Sequence, residues 1–310
     1  MSVAVAPVQA PAGRWQTLRG RVAFAARHNW PGLLATAVAV LLVVAAVAAP
    51  LLSPYNPTAI VGPPRLPPSG QFLLGTDGLG RDVLSRTLWG ARHTLITACL
   101  STALASVVGV PLGLVAGYLS QWMSDVVMRA MDVLLAFPGL LLALIVVTIL
   151  GPGVTTVVVA VGVSYTPIFG RLMYGPTRSI RTHDYIAAAR VVGYGRLRVL
   201  RKEVLPVLAT EVVVLVSSAI GWTTLLAATL DFLGFGIRPP APDWGADLSA
   251  GIQYLRQAWW ISAVPGLAIT VTILVSNYLG DFVASIIDPD RLYRSHARVR
   301  DTAQALTGVE

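Results

Sequence analysis

The sequence predicts an all-α, polytopic membrane protein with six transmembrane helices, and three observations carry that prediction. Hydrophobic residues make up 55% of the 310-residue chain and charged residues only 12%. A soluble domain carries about 25% charge, so this chain has too little to cover a water-facing surface. The apolar residues gather into uncharged runs long enough to cross a hydrocarbon core of about 30 Å, which takes roughly 20 residues of helix. Basic residues are dense in alternate segments between those runs, as a fixed orientation in a bilayer requires.

Residues 1–31 form a basic tail with Arg14, Arg19, Arg21 and Arg27, and residues 32–52 are the first uncharged run. A cleaved signal peptide is the rival reading, because Ala46-Val47-Ala48 resembles a cleavage site. The apolar core exceeds the usual length of about 7–15 residues, and Pro50 follows the supposed cut too closely, so the run is read as a span. Residues 53–92 are the extracytoplasmic segment. They begin with prolines, end Gly/Asp-rich, and are too long for a simple turn, which points to an ordered cap or docking surface.

Residues 94–118 form the second run and carry a small residue at every fourth position: Thr97, Ser101, Ala105, Gly109, Gly113 and Gly117. Such a stripe lets two helix backbones approach closely in lipid. The partner is either another helix of the same subunit or one across a dimer. Residues 133–170 are uncharged over twice a span length and are cut by Gly151-Pro152-Gly153. They read as a helical hairpin of two crossings joined by a tight turn, with Pro111 and Pro138 placed to kink their helices. Runs 212–230 and 261–280 complete the six, so residues 93–285 form a five-helix core and 286–310 a second tail.

With the N-terminus inside, the inner segments 1–31, 119–132, 171–211 and 281–310 hold 17 of the 23 basic residues. Both tails and the 171–211 segment are therefore expected in the cytoplasm. The net charge of +8 sits beside apolar runs, which favours a membrane surface over nucleic acid. Cys99 is the only cysteine, so no intrachain disulfide exists. The histidines His28, His93, His183 and His296 are dispersed without ligand spacing, so no metal site is expected. Trp244, Trp259 and Trp260 are expected as interfacial anchors.

The segment 184–206, "DYIAAARVVGYGRLRVLRKEVLP", holds Lys202, the only lysine of the chain. Residues 184–192 read as a short helix, with Asp184 favouring its positive end. Ala187, Ala188 and Ala189 combine high helix propensity with little bulk, so another surface can come close to the backbone. Gly193 and Gly195 can turn the chain, residues 197–204 resume a helix, and Pro206 is expected to reset the path before the fifth span. A helix–turn–helix lug and a mere connector both fit these properties.

This segment resembles the signature of bacterial ABC importer permease subunits: E-A-A, three residues, G, nine residues, I-x-L-P. Ala188, Ala189, Gly193, Leu205 and Pro206 match at that spacing, while Ala187 stands at the Glu position and Glu203 at the Ile position. The resemblance extends over roughly residues 72–292. "LGTDGLGRDVLSR" at 74–86, Gly90-Ala91-Arg92, "DVLLAFPGLLLA" at 132–143, "FLGFGIRPPAPDWG" at 232–245 and Asp288-Pro289 look like the dipeptide, oligopeptide and nickel branch, and its C-type permease in particular.

The resemblance implies a non-catalytic subunit of the bacterial inner membrane that imports peptides, with nickel or glutathione as the alternative cargo. Its implied partners are a second permease subunit, two ABC ATPase subunits that bind ATP and Mg, and an extracytoplasmic substrate-binding protein; this chain itself would bind no cofactor. It implies a coupling helix at Ala187, Ala188, Ala189, Arg190, Gly193, Leu205 and Pro206, docked into an ATPase groove. The branch has Glu where Ala227 stands and Ser where Asp231 stands, so Asp231 is expected on the translocation path one turn away, with a capping or interfacial aspartate as the alternative. Asp77, Arg81, Asp82 and Trp244 are expected in the outer docking face or gate. Asp247 departs from the branch, which favours Met there.

Three other classes fit less well. The phosphate loop of an ATPase needs Gly-Lys-Ser/Thr, and Lys202 follows Arg201. An aspartyl protease needs two carboxylates about 3 Å apart, whereas Asp231 and Asp281 fall at opposite ends of successive spans. An ion channel needs charged rings or a carbonyl filter, and neither is evident.

Overall fold

The structure, a computed structural model, describes residues 29–119 and 121–287. The expectations for the two tails, including Arg14, Arg19, Arg21, Arg27, His28, His296 and Asp288-Pro289, lie outside the described residues. Among the described residues the regular structure is helical, with one isolated bridge between Thr76 and Asp82. Five helices are long and apolar enough to cross a membrane, and a bent pair makes a sixth crossing if its two arms count as one span.

Helix α1 (Trp30–Val47) is capped by Asn29, whose side chain accepts from Gly32 N at 3.0 Å. A short turn of helix, α2 (Ala49–Leu52), leads into the cap segment. Helix α3 (Val83–Tyr118) begins eleven residues earlier than the apolar run at Thr94, because Asp82 caps it by accepting from Ser85 N at 2.8 Å. Capping chemistry therefore sets this start, while the apolar stretch marks only the part suited to lipid. The helix runs through Pro111 without interruption.

The hairpin differs from expectation in its first arm. Helix α4 (Gln121–Leu135) and helix α5 (Gly139–Leu150) meet at 90° across Ala136-Phe137-Pro138. Pro138 disfavours a helical Phe137 before it, so the proline breaks the helix where a kink was expected. Twelve residues of α5 rise only about 18 Å, too little to span alone. The expected turn is present: Gly151 and Gly153 have positive φ (82° and 156°), and Gly153 N donates to Phe235 O at 2.9 Å. Helix α6 (Val154–Ile180) follows.

Helix α7 (Asp184–Val191) is the short elbow helix, and α8 (Arg196–Val199) begins the return. Pro206 does not reset the path. A single π-helical turn (Leu200–Val204) joins α8 to α9 (Leu205–Phe232), and Leu205 N donates to Leu200 O, five residues back. Pro206 has no N–H to give the α-helical ladder; the wider turn just before it carries the helix past that gap. Helices α10 (Trp244–Ile252) and α11 (Trp260–Ile287) complete the chain.

The stripe on α3 packs against α6 of the same subunit. A Cβ at Gly109 would strike Thr166 O, one at Gly113 Gly170 O, and one at Gly117 would lie 2.9 Å from Tyr174 O. The contacts advance by about four residues on both helices, which is ridge-into-groove packing between backbones. Thr102 and Thr223 hydroxyls meet at 2.7 Å and tie α3 to α9 inside the bundle. Successive spans leave two ends: residues 53–82 with 233–259 at the cap end, and residues 181–204 at the elbow end.

Candidate functional site

At the elbow end, α7 is a firmly mounted lug. Ile186 is fully buried and shares a core with Tyr118, Ile180, Val199, Leu200, Val204 and Leu208. That core draws on α3, α6, α8 and α9, so the position of α7 is tied to the spans themselves. Ala187 and Ala188 are exposed and Ala189 is half-buried. Arg190 donates from Nε to the Tyr118 hydroxyl at 3.3 Å, and its guanidinium stands 5.3 Å from that ring's centroid.

The turn after α7 is a Schellman motif. Tyr194 N donates to Ala189 O and Gly193 N to Arg190 O, both at 3.0 Å, with Gly193 at φ +93°. The left-handed residue closing this motif is usually glycine because a Cβ is penalised there. Val191, Val192 and Leu197 are 88%, 76% and 60% exposed, an apolar surface beside the alanine face. Leu205 and Pro206 form the first turn of α9, where a missing proline N–H is tolerated.

At the cap end, the residues expected to form a docking face serve as internal fasteners. Asp77 Oδ1 accepts from Leu79 N (2.8 Å) and Arg81 N (2.9 Å), and its Oδ2 accepts from Arg81 Nε (2.6 Å). Asp82 is the α3 cap and also accepts from the Ser85 hydroxyl. Trp244 is 1% exposed and donates from Nε1 to Thr87 O at 2.9 Å. Trp260 is 7% exposed and donates to Thr76 O at 3.2 Å. Both indoles are therefore packed inside the protein rather than anchored in the interface, because their N–H groups find carbonyls of the cap and α3. Trp259 is exposed.

Sequence reasoning missed Arg86. It is buried, yet it donates from Nη1 to Pro57 O (3.0 Å) and Pro240 O (3.1 Å), and from Nε and Nη2 to Asp247 Oδ1. Asp247, the departure from the branch, is thus its counter-ion. Burial pushes the Asp247 carboxyl up to about 6 despite the pull of Arg86. Arg86 lies inside a matched stretch and Asp247 departs from the branch, and two charges 161 residues apart give no pairwise signal in one sequence. A cavity of about 210 Å³ lies beside this pair.

Ala227 and Asp231 are both enclosed by their own subunit. Ala227 is fully buried among Val157, Val161 and Leu230. Asp231 is 5% exposed, and its carboxylate lies against Gly236, where a Cβ would strike Oδ1, with Gly245 packed on its Cβ. Neighbouring Asp243 caps α10, accepting from Gly245 N at 2.8 Å and the Thr94 hydroxyl at 3.0 Å. Asp231 thus lies enclosed at the junction of α9 with the 233–243 loop.

Residues 109–293 match the family described as binding-protein-dependent transport system inner membrane component. The chain belongs to that family. This permease is 38% identical over 269 residues to the di/tripeptide transport system permease protein DppC of Pseudomonas aeruginosa, covering 84% of this chain and 89% of that one. It is 39% identical over 272 residues to the glutathione transport system permease protein GsiD of Pectobacterium atrosepticum, covering 85% and 90%. A chain of the MetNI methionine ABC transporter, solved in inward-facing conformations, shares the fold at a TM-score of 0.54 and 18% identity, covering 65% of this permease and 96% of that chain.

Proposed function

We propose that this permease forms half of a two-subunit pore importing short peptides, and that α7 couples the pore to ATPase subunits on other chains. The observation that carries the coupling is the mounting of α7: an exposed alanine face, rigidly joined through Ile186 and Arg190–Tyr118 to α3, α6 and α9. A push on such a lug moves the ends of three spans together, which is how a ligand on one chain biases a two-state element on another. ATP and Mg belong to the partner ATPases in this reading, and the chain performs no covalent chemistry.

The charge bias of the loops supports a cytoplasmic elbow end and an outward cap end, where a binding protein delivers cargo. Peptide cargo is supported by kinship with a di/tripeptide permease; glutathione, itself a tripeptide, is the second reading, supported by the equally similar glutathione permease.

Reconstitution tests both parts. Vesicles holding this chain, its sister permease, the ATPases and the binding protein are expected to take up labelled dipeptide or glutathione with ATP, while this chain alone gives no flux. In a Cys99→Ser background, a cysteine at Ala188 is expected to react with a membrane-impermeant maleimide only after cells are opened. Labelling in intact cells overturns the orientation and with it the coupling.

A further inference from the structure

A cavity of about 360 Å³ opens at the elbow end, lined by Tyr118, Leu119, Arg181, Arg190, Arg196 and the Tyr194-Gly195 turn. We propose that it binds the phosphate-bearing headgroup of an anionic phospholipid.

Charge is the first argument. Three arginines line one cavity, and among the described residues no carboxylate lines it. Among the described residues, arginine ion pairs occur at Arg81, Arg86 and Arg171, not at these three. Like charges held together raise the local potential, and an anion is the chemistry that relieves it.

Two of the three groups are also positioned in advance. Arg181 donates from Nη1 to Leu119 O at 2.8 Å, and Arg190 is held by its Nε bond and its stacking on Tyr118. Their remaining donors are free for a ligand, and the planar fork suits phosphate oxygens.

Depth selects lipid over a protein acid. Tyr118 ends α3 where its uncharged run closes, and Arg181 caps α6 within the basic segment that begins at Arg171, so the cavity borders the apolar layer at the end of α3. Tyrosines favour that level, and basic pockets between span ends recognise acidic headgroups. The volume falls in the range of small-molecule sites, about 300–1,000 Å³. The surface suited to a protein is separate: Val191, Val192 and Leu197 are apolar and exposed, and none of them lines the cavity. The proposal holds for either leaflet, so its failure leaves the coupling reading standing.

The test is native mass spectrometry of the full-length chain in its assembled complex, exchanged into mild detergent with phosphatidylglycerol, phosphatidylcholine or inorganic phosphate. Wild type is expected to retain phosphatidylglycerol about 10-fold over phosphatidylcholine. Arg181→Gln with Arg196→Gln should lose that preference, while Arg181→Lys with Arg196→Lys, which keeps the charge and guards against misfolding, should keep most of it. Arg65→Gln, at the cap end, should behave as wild type. Equal retention by wild type and the double Gln variant overturns the proposal. So does inorganic phosphate bound without a lipid preference, which points to a free anion. Loss of ATPase subunits with lipid retention unchanged points to a protein contact and overturns it too.

Discussion

Arg86 and Asp247, 161 residues apart in the chain, are joined by two donors on one carboxylate oxygen: Nε at 3.2 Å and Nη2, both to Oδ1. The same guanidinium holds Pro57 O and Pro240 O. One side chain on α3 thereby ties the segment after α2, the 233–243 loop and α10 into a single cap, with Asp77 3.8 Å away.

Removing Arg86 alone should be the most damaging change in the cap. Arg86→Ala leaves Asp247 and two carbonyls without their donor, and losing one partner of a buried pair costs about 3–5 kcal/mol. Asp247→Ala should cost less, because Asp77 still faces Arg86. The double variant Arg86→Met with Asp247→Leu should be more stable than the summed losses of Arg86→Met and Asp247→Leu made singly, as read by thermal unfolding in detergent. Strict additivity would show that the two residues are not coupled.

The same pair predicts a pH dependence of stability. Burial raises the Asp247 carboxyl from 3.8 to about 6. Between those values the folded protein binds the proton that the unfolded chain releases, so this residue's contribution falls as pH rises through the window and is constant above it. The melting temperature of wild type relative to Asp247→Asn should therefore decline from pH 4 to pH 6 and then level off. A rising difference would reverse the assignment.

Two glycines should respond oppositely to alanine. Gly113→Ala drives a methyl into Gly170 O and within 2.9 Å of Met173 Cβ, an overpacking worth about 1–3 kcal/mol. Gly139, at the start of α5, meets nothing within 4 Å. Gly139→Ala should be neutral or stabilise by up to about 1 kcal/mol through helix propensity. Thermal unfolding of the two variants side by side checks the close α3–α6 contact.

The elbow turn should discriminate by backbone rather than by size. Gly193 sits at φ +93°, a region that valine strongly resists and asparagine tolerates. Gly193→Val should insert and fold yet lose about 10-fold of transport-coupled ATP hydrolysis in the reconstituted complex, while Gly193→Asn keeps most of it. Equal activity of both variants would mean that the turn does not transmit the push.

Much of the site was legible because its signals are local. The alanine triplet, Gly193 and the Gly151-Pro152-Gly153 break each express a preference that the residue carries by itself, and each appears where the spacing placed it. The reading failed where the outcome depends on a partner distant in sequence. Trp244 looked like an interfacial anchor until Thr87 O and the packing at Gly90 enclosed it. Whether Asp231 is exposed at the end of its helix was not legible either, because the chain folds back through Gly236 and Gly245 to cover it. Pro206 looked like a break, but one widened turn absorbs its missing N–H.

The sequence by itself determined that lipid is one solvent of this protein, where the helical runs lie, and which short helix stands apart from them, because hydrophobicity and backbone preference act over a few residues at a time. Only the tertiary structure decided which small residues bring α3 onto α6, which charges neutralise one another in the cap, and which polar side chains are sealed away. Those outcomes depend on groups that are distant in the chain and meet only when the helices pack, where the energy of each group is set by its neighbour rather than by its own type.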